Sequence, residues 1–163
     1  MDLSDELRKT FRQTVIVSGA MAASLLVYAV VLEVIRATLK PFQGFWPVSN
    51  SQTIRYLFYG AAVAVIILIR LLSRALLKSG PGDGPSALVN KLARATILTA
   101  ALSEIPVVLG FVLFILTGSS RDFYYLFLVS LILEFMYFPR LRAWEDLVAT
   151  RFPSARLDGG RNA

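Results

Sequence analysis

Apolar residues in this chain gather into four long runs, set apart by short blocks of charge and turn-forming residues. The runs lie near Thr14 to Ile35, Ile54 to Leu72, Ala95 to Thr117 and Asp122 to Pro139. Crossing about 30 Å of hydrocarbon at about 1.5 Å per helical residue takes roughly 20 residues, with about 17 as a working minimum. In lipid every backbone N–H and C=O needs a partner within the protein, and barrel strands would be shorter and would alternate apolar with polar. The pattern predicts an all-α polytopic membrane protein, with four transmembrane helices in one bundle spanning residues 1–163.

Between the runs the polar segments differ. From Arg36 to Thr53 the chain carries Pro41, Phe42, Phe45, Trp46 and Pro47, aromatics suited to the headgroup belt of an outer membrane surface. Residues 79–86 read SGPGDGPS, whose Gly and Pro break any helix and predict a flexible connector. In the tail, residues 140–163, Leu141, Trp144, Leu147 and Val148 recur at helical spacing among Arg140, Arg142, Glu145 and Asp146. That is the pattern of a short helix lying on the inner membrane surface or docked on a cytoplasmic loop. Gly19 with Ala23 and Gly60 with Ala64 form small-x-x-x-small pairs, expected where helices approach closely within the bundle or between protomers. Lys9, Arg12, Thr14 and Val15 are echoed by Lys91, Arg94, Thr96 and Ile97, a faint repeat that would relate two hairpins about the membrane normal, though shared topology accounts for it equally well.

Charge then orients the bundle. With the N-terminus cytoplasmic, thirteen Lys and Arg residues fall on the inner side and four on the outer. This positive-inside bias places both termini in the cytoplasm. The first run reads as a retained anchor: acidic residues are mixed into its start, and the small residues Gly19 to Ser24 precede the long apolar stretch instead of ending it. With no transit-peptide composition, a bacterial cytoplasmic (inner) membrane is expected. The net charge of +6 does not suggest nucleic acid, because the bases sit at helix ends where topology and anionic lipid already account for them.

Composition narrows the chemistry further. Hydrophobic residues make up 56% of the chain and charged ones 17%, well below the quarter or so of a soluble domain. It contains no Cys and no His, which removes disulfides, thiol redox pairs, His-ligated haem and the usual zinc and copper sites. No metal and no cofactor is expected. The P-loop, nucleophile-elbow and H-E-x-x-H motifs are all missing.

One carboxylate interrupts the third run. An acid at the centre of a spanning helix costs about 2.5 to 3.5 kcal/mol to insert, which the surrounding Leu, Ile, Val and Phe offset at about 0.3 to 0.6 each. Glu104 is therefore insertable, and desolvation at its depth, near the midplane, favours the neutral acid unless a cation or water reaches it. An ionisable group so placed is a candidate functional site, here for a proton or a monovalent cation. Pro106 has no N–H to give the carbonyl of Leu102, so a kink is expected beside the acid. Tyr28, Ser18, Thr99 and Ser103 are candidate partners for Glu104, although helical Ser and Thr often bond their own backbone. Glu33 is expected to pair with Arg36 at the outer end. Glu134 shares a layer with Arg70, Arg94 and Arg140, which predicts a charge network on the cytoplasmic side.

Ala101-Leu102-Ser103-Glu104, with Gly110 and then Phe111-Val112-Leu113, resembles the ion-carrying helix of subunit c, the rotor-ring proteolipid of rotary ATP synthases. The resemblance covers only Ala101 to Leu113 and implies that Glu104 is the ion carrier, binding a proton or sodium ion. The overall pattern also looks like that of uncharacterised four-helix bacterial inner-membrane proteins, a likeness that implies no activity. The function expected is that of a non-enzymatic membrane subunit or assembly and interaction protein, partnered by the lipid bilayer and by a second copy or another membrane protein. The alternative is a proton- or cation-coupled transporter or channel component working through Glu104. A lipid-directed enzyme is the weakest of the three readings, for want of a second catalytic group within the membrane.

Overall fold

The computed structural model describes residues 3–45, 51–76 and 84–152. Every element among them is a helix: α1 Leu3–Thr38, α2 Ser51–Leu76, α3 Pro85–Ser103, α4 Ile105–Thr117, α5 Ser120–Tyr137 and α6 Leu141–Arg151. Local chemistry sets several of the ends. Asp5 and Glu6 in the first turn of α1 and Arg36 in its last complement the helix dipole. Gly84 precedes Pro85 at the start of α3, where a missing N–H costs nothing. Gly118, left-handed at φ 73°, closes α4. Pro85 and Ser86, from the expected 79–86 connector, are already helical, and residues 79–83 lie outside the described residues. Trp46 and Pro47 of the first loop lie outside the described residues, as do 153–163 of the tail.

Three helices are long and apolar enough to cross a membrane: Asp5–Thr38, Gln52–Ala75 and the 33-residue rod Pro85–Thr117 made by α3 and α4. α5 carries Arg121, Asp122 and Glu134 and meets the same standard only together with α6, from which it is bent by 45°. Proline at 139 marks that bend.

The α3–α4 rod is the axis of the bundle, contacted by α1, α2 and α5. α1 runs parallel to it with a fixed offset: Glu6 accepts a hydrogen bond from Ser86 Oγ (2.8 Å) and Ser24 donates to Glu104, each pair 80 residues apart. The face α1 turns inward is Leu7, Phe11, Thr14, Ser18, Leu25, Tyr28, Leu32 and Ile35, buried or half-buried at steps of three, four and seven. That spacing keeps one seam against a parallel neighbour. α1 and α2 barely touch, whereas α4 and α5 pack along their length. The two hairpins are therefore not equivalent, and the faint sequence echo has no counterpart in the packing.

Two apolar clusters fill the interior. At one end Leu7, Leu88, Val89 and Leu92 enclose Trp144 and Val148 of α6, with Phe11 edge-on to Trp144 at 5.4 Å. The tail helix is thus docked on the first turns of α1 and α3. At the other end Leu25, Leu32, Val107, Phe114 and Phe123 pack with Tyr28, Phe42, Phe111 and Phe127. Phe42, from the first loop, turns inward against Phe114 at 5.0 Å, while Phe45 stays 70% exposed.

Candidate functional site

Between the two apolar clusters the helices exchange polar contacts. The α3–α4 rod is interrupted at Glu104, whose φ −76° and ψ −22° keep it right-handed, so the segments continue as one rod. Pro106 supplies no N–H, and the next amide, Val107 N–H, leaves the helix to donate to Ser130 Oγ of α5 at 2.9 Å. The ladder resumes at Val108 N–H to the Glu104 carbonyl, 3.2 Å. Proline opens the helix, and a serine from the neighbouring helix fills the gap.

Glu104 itself is half-buried, and its Oε1 accepts a hydrogen bond from Ser24 Oγ of α1 at 2.7 Å. None of the expected partners reaches it. Thr99 bonds its own helix carbonyls at Ala95 and Thr96, Tyr28 packs on Phe111, and Ser18 Oγ is buried without a partner. Ser103 instead bonds Glu134 of α5 through a very short Oγ–Oε2 contact. Glu134 is the more deeply buried acid, only 4% exposed, and its second oxygen, Oε1, is sealed from solvent with no hydrogen-bond partner. Ser103, which holds Glu134, directly precedes Glu104 in the rod, so adjacent residues of one helix engage α5 and α1. Burial concentrates on Glu134, which the sequence had suggested would meet arginines.

Those arginines are elsewhere: Arg70, Arg94 and Arg140 are exposed, and the ion pairs among the described residues involve neither them nor Glu134. The expected network does not form because the inward faces of α3 and α5 at this level present Ser103 and Ser130, while the guanidinium groups point away from the bundle. Counted from Thr117 and Ser120, Glu104 and Glu134 lie at the same height, roughly 20 Å along their helices.

A second polar cluster lies at the far end of the bundle. Asp122, 6% exposed in the first turn of α5, pairs with Arg55 Nε at 2.9 Å and accepts a hydrogen bond from Tyr59 at 2.9 Å, both on α2. Opposite charges at the same end of two helices were its sequence signal. Glu33 pairs with Arg36 at 2.7 Å as expected and also accepts a short hydrogen bond from Tyr124.

The small-residue pairs do not pack within the chain. A Cβ at Gly19 or Gly60 would meet nothing within 4 Å, and Ala23 and Ala64 are exposed. Close approach happens instead at Gly110, where a Cβ would stand 3.0 Å from Leu126 Cβ and 3.2 Å from Phe123 Cα. Among the described residues no three His, Cys, Asp or Glu side chains gather as metal ligands. Comparison with known proteins finds no matching family, no similar curated sequence and no similar solved structure.

Proposed function

We propose that the chain is a four-span protein of a bacterial inner membrane, with both termini cytoplasmic, that acts without catalysis as a membrane subunit or assembly factor. The observation that carries this reading is the Ser24–Glu104 hydrogen bond, which uses the intramembrane acid to join α1 to the central rod. Supporting it, α1 and α2 leave most of their apolar surface outside the bundle: 17% and 11% of their spanning windows are buried, against 44% for the α3–α4 rod. These are the faces that lipid, a second copy or a partner's helix would cover. Photo-crosslinkers at Val30 of α1 and Ile67 of α2, both exposed, should capture a defined neighbour in native membranes. Recovery of the uncrosslinked chain alone from both positions would refute the interaction reading.

A second reading is favoured by one observation, the sealed Glu134 beside Glu104. In it the protein is a proton- or cation-coupled transporter or channel component, and the likeness of Ala101 to Leu113 to the rotor proteolipid belongs here. Glu104→Gln should then abolish ion flux in reconstituted vesicles. Unchanged flux would remove Glu104 from any such path.

A further inference from the structure

The parallel register of α1 and α3 brings their entries into the apolar layer to one height. Contacts between the two helices join residues 80 apart, and the apolar runs begin at Thr14 on one and at Ala95 on the other. At that height the seam between them opens into a groove of about 560 Å³, within the roughly 300 to 1,000 Å³ of small-molecule sites. Thr10, Gln13 and Asn90 line it toward the start of the chain, Ile16, Val17 and Ile97 line it deeper, and the buried Ala93 lies between. From Thr10 to Val17 is roughly 10 Å along the helix. Over that distance the lining passes from hydroxyl and amide groups to aliphatic carbon, the order of a phospholipid read from headgroup to acyl chain.

The polar end is supplied for an anion. Thr14 donates its hydroxyl hydrogen to the Thr10 carbonyl at 2.9 Å, whereas the exposed amides of Gln13 and Asn90 are engaged by no other described residue. Each amide can donate to a phosphate or ester oxygen. Lys9 precedes Gln13 by four residues and Arg94 follows Asn90 by four, so each base shares a helix face with a groove residue. Both are exposed, and long basic side chains lay their stems on apolar surface while the charge reaches the headgroups. Asp5 and Glu6 stand about a turn nearer the chain start, where Glu6 is held by Ser86 and, among the described residues, neither forms an ion pair with Lys9. A second copy or a partner's helix would have to bring an anion to this height, which an anionic lipid already carries there.

We infer that this groove binds one anionic phospholipid, with its phosphate between Lys9 and Arg94, its ester oxygens at Gln13 and Asn90, and an acyl chain along Ile16, Val17 and Ile97. The inference rests on the membrane reading above and adds a ligand for the α1–α3 seam. Lipid binding in detergent is blind to orientation and to the number of crossings, so the lipid site and the topology can fail separately.

The experiment is native mass spectrometry of the full chain released from detergent, titrated with dioleoyl phosphatidylglycerol or dioleoyl phosphatidylcholine. The first phosphatidylglycerol should bind about tenfold more tightly than the first phosphatidylcholine. Lys9→Gln combined with Arg94→Gln should erase that preference. Arg12→Gln, exposed at the same height on another face of α1, should keep it. Val17→Trp, which fills the groove from an exposed position, should weaken binding of both lipids. All these substitutions are at exposed positions, and thermal unfolding checks that the variants remain folded. Equal affinity of the wild type for the two lipids overturns the inference, as does a loss of preference in Arg12→Gln equal to that of the double variant. A lipid-free dimer that Val17→Trp dissociates would give the groove to a second copy and overturn it as well.

Discussion

Pro106 leaves Val107 N–H to be satisfied from outside its own helix, and Ser130 is the residue that does so. Ser130→Ala strands a buried amide, at about 1 to 3 kcal/mol. Thr96→Ala serves as the contrast, because Thr96 Oγ1 only adds a bond to the Leu92 carbonyl of its own helix. We expect thermal unfolding in detergent to show a clear drop for the first variant and little change for the second; equal behaviour would mean that Ser130 is not filling the gap. The acid at 104 and the proline beside it stand out in the sequence, since each interrupts an otherwise apolar run. Their partners do not. Ser18 and Ser24 are both hydroxyls in the first run, and only the direction each takes around α1 decides that Ser24 meets Glu104 while Ser18 faces the interior without a partner. The expected pairing of Glu134 fails for a related reason: sequence gives height along a helix, which groups Glu134 with arginines of similar height, but not the face on which each side chain stands.

Helices fit together here by apolar seams and one close approach. α4 and α5 touch at Gly110, whose missing side chain lets Phe123 and Leu126 reach the rod. Gly110→Val should therefore force these helices apart and destabilise by about 1 to 3 kcal/mol, as overpacking does. Gly60→Val, on a face with nothing within 4 Å, should leave the stability of the isolated chain almost unchanged. Chemical denaturation in mixed micelles compares the two, and similar losses would contradict the packing described. The small-x-x-x-small pattern drew attention to Gly19 and Gly60 because it tracks spacing alone, whereas Gly110 has no small residue four positions away and its role depends on α5. The seam of α1 from Leu7 to Ile35 is hidden in the sequence, because Thr14 and Ser18 belong to it while Ile16, Val17, Leu26, Val27, Val30 and Val31, equally apolar, face outward. The offset of 80 residues to its parallel neighbour is hidden too, because register between separate helices is fixed by side chains of both.

Layering governs the assembled molecule: an apolar base built around α6, a polar layer of serines and acids, and an aromatic cap reached by Phe42 from the first loop. This arrangement ties the number of membrane crossings to an observation independent of hydropathy. α6 follows α5, and Trp144 and Val148 of α6 are buried against Leu7 and Leu88 at the starts of α1 and α3. Arg8 and Arg142 must then face the same side of a membrane, while Lys40, beyond the far end of α1, faces the other. If α1, α2 and the α3–α4 rod each cross, α5 has to cross as well to bring α6 back, despite carrying Arg121, Asp122 and Glu134. The chain contains no Cys, so single-cysteine variants report on their positions without background. In intact cells Lys40→Cys should react with a membrane-impermeant maleimide, and Arg8→Cys and Arg142→Cys should react only after permeabilisation, the inner side being assigned by the excess of Lys and Arg. Reaction of Arg142→Cys alongside Lys40→Cys would mean that α5 does not cross and that the docked base is not present in the membrane. Trp144→Ala probes the same base from within: about 3 to 5 kcal/mol of stability should be lost with a buried tryptophan. The loss should loosen α6 first and leave the Ser24–Glu104 contact in place, because that contact lies between α1 and the rod and draws nothing from the tail helix. Limited proteolysis should accordingly cut the variant within Leu141–Arg151 before any cleavage in the spanning helices, and cleavage in the opposite order would show that the base supports the layer above it.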